Sequence, residues 1–219
     1  MTAFPIILSA PSGAGKTTIA KALLSRRQDL GYSVSCTTRE PRGGEIPGQD
    51  YYFLTRTEFL GKRERGEFAE SAEVHGNLYG TLRSEVLKVL GTGKHVLMDI
   101  DVQGASTFTK FFPQAVTIFI LPPSADVLFD RLRKRQTESP QQLANRLQSA
   151  LQELQSVDEY EYVVLNDDLD EAIGHIGTII DAEVESREKV SGLRTQVALL
   201  IDHLEREIES QSKDEGKKK

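Results

Sequence analysis

Apolar positions along the chain follow two spacings in turn. Predominantly apolar runs occur at Phe4–Leu8, His95–Ile100, Val116–Leu121 and Tyr162–Leu165, and each reads as a buried strand. Between them the spacing becomes helical: Ile19, Leu23 and Leu24; Leu82, Val86, Leu87 and Leu90; Leu128 and Leu132; Leu143, Leu147, Leu151 and Leu154; Ile173, Ile176, Ile180 and Val184. The punctuation agrees. Gly91-Thr92-Gly93 stops one helix, Pro122-Pro123 closes one strand, and Ser124 can cap the helix that follows. Ser139-Pro140-Gln141-Gln142 has the form of a capping box with proline at the first helical position, and Asp168 with Glu171 opens the last helix. Apolar strands alternating with helices predict an α/β fold, a parallel sheet flanked by helices on both faces. Ligands in such folds sit at the carboxyl ends of the strands.

The rhythm changes between Tyr32 and Leu82. Tyr32–Thr38 reads as one short strand, followed by the turn-rich segment Arg39 to Gly48. Asp50–Leu54 and Phe68–Tyr79 are two further β-like pieces, joined by a charged stretch able to form a short helix. Residues 35–82 therefore predict a small mixed insert rather than another strand–helix–strand unit. Beyond Lys189, the positions Val190, Leu193, Val197, Leu200 and Leu204 form a heptad-like seam, too short to argue for a coiled coil. The expectation there is a terminal helix packed on the core, followed by a frayed KDEGKKK end.

Composition narrows the class. At 219 residues the chain is long enough for one substantial core with a small inserted domain. No apolar run approaches a membrane span, and because the first residues enter a strand almost at once no signal peptide is expected. Cys36 is the only cysteine, so no intrachain disulfide can form and a cytoplasmic address is expected. His75, His95, His175 and His203 lack ligand spacing, which predicts structural or surface roles and no metal site built by the protein alone. A net charge of −6 argues against nucleic acid as a partner. Any positive charge needed to hold phosphate must then be gathered locally.

The first strand supplies the strongest motif. FPIILSAPSGAGKT joins an apolar run to a glycine-rich turn and ends in Gly15-Lys16-Thr17 before a helix, which is the form of a phosphate-binding loop. Gly13 and Gly15 let the backbone curl so that successive N–H groups point inward. The helix N-terminus adds unpaired donors and partial positive charge. Lys16 brings a full charge to the outer phosphates, and the Thr17 hydroxyl can ligate Mg²⁺. The segment Ala10, Pro11, Ser12, Gly13, Ala14, Gly15, Lys16, Thr17 and Thr18 is thus the expected triphosphate cradle. The strict template has glycine where Ala10 stands, at the strand exit, and the extra methyl is expected to be tolerated.

Other candidates carry two readings each. Asp99 ends an apolar strand, either as an acid near Mg²⁺ or its waters or as a carboxylate facing solvent. Arg131 and Arg135 share one helical face, and Arg146 lies on the next helix across a polar joint. They form either a solvated basic face or a set of guanidinium forks for a transferring phosphoryl group. In the insert, Arg39 and Arg42 flank a proline turn, with Ser35, Tyr51, Glu70, Tyr79 and Thr81 nearby in sequence. Glu70 is either a surface carboxylate or a reader of guanine, whose two donors suit a carboxylate while a hydroxyl such as Ser35 gives to the carbonyl. Adenine reverses that polarity, so such a site would discriminate strongly.

Taken in order, SAPSGAGKT, SCTTREPRGGEIPGQDYYF, FAESAEVHGNLYGT, MDIDVQG, RLRKRQTES and LNDDLDEA resemble the guanylate kinase family, over roughly residues 4–188. The resemblance implies a P-loop nucleoside monophosphate kinase: a core (4–34 and 83–188), a GMP-binding insert (35–82), a helical lid (about 126–156) and a C-terminal extension (189–219). It implies transfer of the ATP γ-phosphoryl to GMP or dGMP with Mg²⁺, and no membrane or nucleic-acid partner. Arg39, Arg42, Tyr51 and Tyr79 would hold the GMP phosphate, while Ser35, Glu70, Thr81 and Asp101 would read its base. Lys16, Arg39, Arg135 and Arg146 would stabilise the transferring group, with Asp99 reaching Mg²⁺ through water. Arg131 would help to hold ATP, and Asn166 would lie against adenine. Gln136 departs from the family's usual glycine after the lid arginine. Two rivals are a phosphopeptide-binding module of guanylate-kinase type, which would lack the intact loop, and a kinase for a sugar phosphate. Oligomeric state is not legible.

Overall fold

Strands apolar on both faces can only sit inside a covered sheet, and Pro5–Ser9, His95–Asp99 and Val116–Leu121 do so here. Tyr162–Leu165 is not the buried strand its apolar run predicts: it lies at the sheet's edge with Val163 and Leu165 exposed. The computed structural model describes residues 3–74, 76–133 and 140–216. Within Ala3–Gly177, strands β1 (Pro5–Ser9), β2 (Leu30–Tyr32), β7 (His95–Asp99), β8 (Val116–Leu121) and β9 (Tyr162–Leu165) form one sheet, ordered β2-β7-β1-β8-β9. Every neighbouring pair is parallel. All five residues of β1 are buried, as the run Phe4–Leu8 predicts. Its two neighbours, β7 and β8, come later in the chain, so the sheet is wound outward from β1 in both directions and leaves a crevice at its carboxyl end. Register puts Leu8 beside Asp99, Ser9 beside Phe119 and Leu121 beside Leu165, which brings the strand ends to one edge.

The segment Tyr32–Thr38 is not one strand. Its first part belongs to β2 in the main sheet, and Cys36–Thr37 forms β3 in a second sheet. The alternating β-rich pattern does not betray the switch, because both halves bury a face. The second sheet is mixed and ordered β4-β3-β6-β5, with β4 at Tyr52–Phe53, β5 at Phe68–Val74 and β6 at Asn77–Leu82. Phe68–Tyr79 is therefore a hairpin rather than a single piece. The joining stretch is helix α2 (Arg56–Glu64), opened by a reciprocal capping box between Thr55 and Glu58. Cys36, Phe59, Phe68 and Leu78 make this sheet's own small core, with the Phe59 and Phe68 rings stacked at 4.4 Å.

Helix α1 (Lys16–Arg26) follows β1, and α3 (Arg83–Gly91) returns the chain to β7. Helix α4 (Val102–Phe111) is not among the helices expected, although Val102, Ala105, Phe108 and Phe111 recur at helical spacing. It is started by the Asp101 side chain, which accepts from the Gly104 N–H at 2.8 Å. Helices α5 (Ala125–Arg133) and α6 (Pro140–Gln155) pack through Leu128, Leu132 and Ala150. Ser124 caps α5 as expected, its hydroxyl accepting from Val127 N–H. Ser139 of the expected capping box, Gln136 and His75 lie outside the described residues.

Helix α7 (Leu169–Gly216) opens with Asp168 accepting from the N–H groups of Asp170 and Glu171. Residues 178–219 separate as a unit of their own. Along it Val190, Leu193, Val197 and Leu200 are exposed rather than packed. A lone helix offers no second surface on which its own stripe can close. The helix also continues to Gly216, through residues rich in Glu, Gln and Lys that favour it. Among the described residues, no helix is long and apolar enough to cross a membrane.

Gly80 in β6 is the tightest point of the second sheet. A methyl there would lie 3.0 Å from the Glu70 carbonyl oxygen and 3.0 Å from both the Phe59 and Phe68 rings. Gly80→Ala is expected to cost about 1–3 kcal/mol of unfolding free energy through overpacking. Urea denaturation checks this, and an unchanged midpoint would show that the hairpin has room to spare.

Candidate active site

The phosphate loop is built by the exit from β1. Ser9 donates its hydroxyl to the Ile100 carbonyl at 2.9 Å, tying the strand end to the end of β7. The Ala14 N–H closes a turn on the Pro11 carbonyl at 3.0 Å. Gly13 and Gly15 then take φ of +90° and +97°, where side chains are strained. At Gly15 a methyl would also meet Asn166 Nδ2 at 2.7 Å. Among the described residues, the backbone N–H groups of Gly13, Gly15, Lys16 and Thr17 take no partner. That leaves a cup of donors at the start of α1, shaped for an anion. Ala10 is buried at the strand exit.

Charged side chains converge on this cup. Lys16 Nζ donates to the Ile100 carbonyl at 3.0 Å. Thr17 Oγ1 donates to Asp99 Oδ2 at 2.9 Å, and the Tyr32 hydroxyl donates to Asp99 Oδ1 at 2.6 Å. Burial and the adjoining Asp99 charge hold the Tyr32 phenol far above its ordinary range, so it stays a donor. Arg131 Nη1 donates to the Ala14 carbonyl at 3.5 Å, and Asn166 Nδ2 donates to the same oxygen at 2.7 Å. Arg146 is buried and gives Nη2 to Ser12 Oγ at 3.2 Å. Glu153 accepts the Ser12 N–H at 3.0 Å. Thr18, in the first turn of α1, is exposed. Arg135 lies outside the described residues.

A second cluster begins two residues past Asp99. Glu70 is 4% exposed and accepts the Thr81 hydroxyl at 2.7 Å. Its other oxygen lies 2.7 Å from where a Cβ on Gly104 would stand, so only glycine lets α4 approach this carboxyl. Burial pushes the Glu70 carboxyl up to about 7; the Thr81 hydrogen bond opposes the rise and the nearby Asp101 charge adds to it. A surface carboxylate is thereby ruled out for Glu70.

The third cluster lies in the second sheet. Arg39 makes a two-pronged pair with Glu45, at 3.0 and 2.8 Å, and its guanidinium stands 5.4 Å from the centre of the Tyr51 ring. Tyr51 packs edge-on to Tyr79, with centroids 6.1 Å apart. Burial pushes the Tyr51 phenol up to about 12. The Arg42 side chain is exposed, while its backbone N–H donates to Glu45 Oε2 at 2.7 Å. Ser35 is half-buried, and its carbonyl accepts the Tyr52 N–H.

The structure thus gathers Lys16, Thr17, Asp99, Arg131, Arg146 and Asn166 at the loop, Glu70, Thr81 and Asp101 beside α4, and Arg39, Tyr51 and Tyr79 in the second sheet. Arg42 is not drawn into that last group through its side chain. Sequence reasoning missed Tyr32, Glu45 and Glu153. Two of these left a trace: Glu45 lies three residues after Arg42 in a turn, and Glu153 lies two helical turns after Arg146, on the same face. Tyr32 left none, because its role depends on the split of a strand.

The comparisons with known proteins agree with one another. A guanylate kinase family model matches residues 2–183. The guanylate kinase of Caldanaerobacter subterraneus subsp. tengcongensis is 48% identical over 178 residues, 81% of this chain and 86% of that protein. That of Thermotoga maritima is 43% identical over 195 residues, covering 87% and 94%. The crystal structure of guanylate kinase from Anaplasma phagocytophilum superposes with a TM-score of 0.68 at 37% identity, over 83% of this chain and 86% of that one. With a phosphate loop, a buried carboxyl and an arginine–tyrosine cluster on the predicted segments, and with relatives this close over most of its length, the chain belongs to the guanylate kinase family.

Proposed function

We propose that the three clusters divide the work of moving the ATP γ-phosphoryl to GMP, the reaction of this family. The segment Asp99–Ile100–Asp101 carries the reading. Asp99 accepts from Thr17, the Ile100 carbonyl accepts from Lys16, and Asp101 starts α4 against Glu70. Three successive residues therefore join a triphosphate cup to a buried carboxyl suited to a purine.

In this reading ATP lays its phosphates on the N–H groups of Gly13–Thr18, with Ala10, Pro11 and Ser12 forming the loop's leading turn. Lys16 and Arg146 take up charge at the transferring group, as would Arg135, and Arg131 braces the loop. Asn166 holds the Ala14 carbonyl and borders the adenine. Arg39, Arg42, Tyr51 and Tyr79 bind the GMP phosphate, which displaces Glu45 from Arg39. Ionised Glu70, held by the Thr81 hydroxyl, accepts the ring N–H and one amine proton of guanine, while Ser35 gives to the carbonyl and Asp101 accepts the second amine proton. No side chain acts as a covalent nucleophile, and excluding water suppresses hydrolysis.

The Thr17 hydroxyl and the Asp99 carboxylate, in contact at the cup, are hard oxygen donors that suit Mg²⁺. That ion would offset charge on the phosphates. The lone thiol of Cys36 is buried and suits a reducing compartment, so the proposed location is the cytoplasm.

Lys16→Ala is expected to lower kcat by at least about 100-fold with an unchanged circular dichroism spectrum. Near-normal ADP release with GMP would remove Lys16 from the reaction. GMP requires Glu70 ionised, so protonation opposes binding. From pH 8 to 6, across the Glu70 value of about 7, the GMP KM is expected to rise about tenfold. In Glu70→Gln the KM is high and this dependence is flat. A wild-type KM independent of pH over that range would contradict the assignment.

A further inference from the structure

Helix α6 presents Arg146 and Glu153, seven residues apart, on one face, and both reach the same loop residue. Arg146 Nη2 donates to Ser12 Oγ at 3.2 Å, and Glu153 Oε2 accepts the Ser12 N–H at 3.0 Å. Ser12 is thus gripped at its side chain and its backbone by one helix. The inner N–H groups of Gly13, Gly15, Lys16 and Thr17 take no partner among the described residues. The carboxylate therefore takes one outer amide of the loop and leaves the cup itself to phosphate.

We infer that Glu153 is a positioning residue for phosphoryl transfer: by holding the Ser12 amide it fixes the leading turn of the loop against α6 and keeps Arg146 at the rim of the cup. The inference rests on the reading of the loop as the ATP site. Arg146 is a long, buried cation whose aim depends on its anchors, and Ser12 Oγ is one of them. A turn of loop free to tilt would carry that anchor away. Glu153 is itself half-buried; desolvation raises its proton affinity, while the Ser12 N–H and the Lys16 charge pull it back. What the amide requires from residue 153 is an acceptor oxygen at the right reach. A glutamine supplies one and an alanine does not.

The test compares Glu153→Ala and Glu153→Gln in the full chain by steady-state kinetics with ATP and GMP, with Lys16→Ala as the control for the site itself. Expected is a kcat at least about tenfold lower in Glu153→Ala with the GMP KM within about twofold, and recovery to within about threefold of wild-type kcat in Glu153→Gln. Equal loss in both variants, or wild-type kcat in Glu153→Ala, overturns the inference. So does tighter ATP binding at unchanged kcat in Glu153→Ala, which would make the carboxylate a competitor of phosphate. A Lys16→Ala enzyme with normal turnover would instead sink the reading of the loop, a separate result. If Glu153→Ala does not fold, amide exchange in the wild-type protein decides. Ser12 N–H is expected to exchange at least about tenfold more slowly than Gly13 N–H without nucleotide, and equal rates overturn the inference.

Discussion

Everything at the site hangs on the end of β7, where Asp99, Ile100 and Asp101 leave the sheet. A parallel sheet wound outward from β1 sets β7 directly beside the phosphate loop, so the strand's last groups become the loop's supports. The Ile100 carbonyl alone accepts from Ser9 and from Lys16. Asp99 receives Thr17 and Tyr32, and one residue further Asp101 launches the helix that packs on Glu70. A shift of this short segment would disturb the loop and the Glu70 cluster together. The coupling needs no long chain of contacts, only consecutive residues of one strand end.

Charge is handled locally. With a net charge of −6, the chain offers anions little long-range attraction. It relies on oriented N–H groups and on arginines held by nearby oxygens: Arg39 by the Glu45 carboxylate, Arg131 by the Ala14 carbonyl, Arg146 by the Ser12 hydroxyl. Each cation is oriented before phosphate arrives, which lowers the cost of ordering it later. Glu45 and Glu153 share one trait: both are carboxylates that meet donors of a phosphate-binding cluster. Glu45 occupies the Arg39 guanidinium, whereas Glu153 takes an amide at the edge of the cup.

Much of this was legible in the sequence. The apolar runs located the main strands, and the loop from Phe4 to Thr17 declared its chemistry through glycine spacing. The rest was hidden for physical reasons. The break within Tyr32–Thr38 left no mark, because both halves bury a face in different sheets. Helix α4 carries a helical stripe in Val102, Ala105, Phe108 and Phe111, but nothing in it marks Gly104 as the point of approach to Glu70. The burial of Glu70 depends on that approach and could not be read from its own neighbours. On α7 the seam from Val190 to Leu200 promised packing, yet period alone cannot say whether a partner surface exists.

The most direct test of the account is a crystal structure with a bridged adenosine–guanosine polyphosphate. The account predicts phosphate oxygens within about 3 Å of the Gly13–Thr17 N–H groups. It also predicts the guanine donors on Glu70, with the Asp99–Asp101 segment between the two. A guanine bound away from Glu70, or phosphates lying outside the cup, would contradict it.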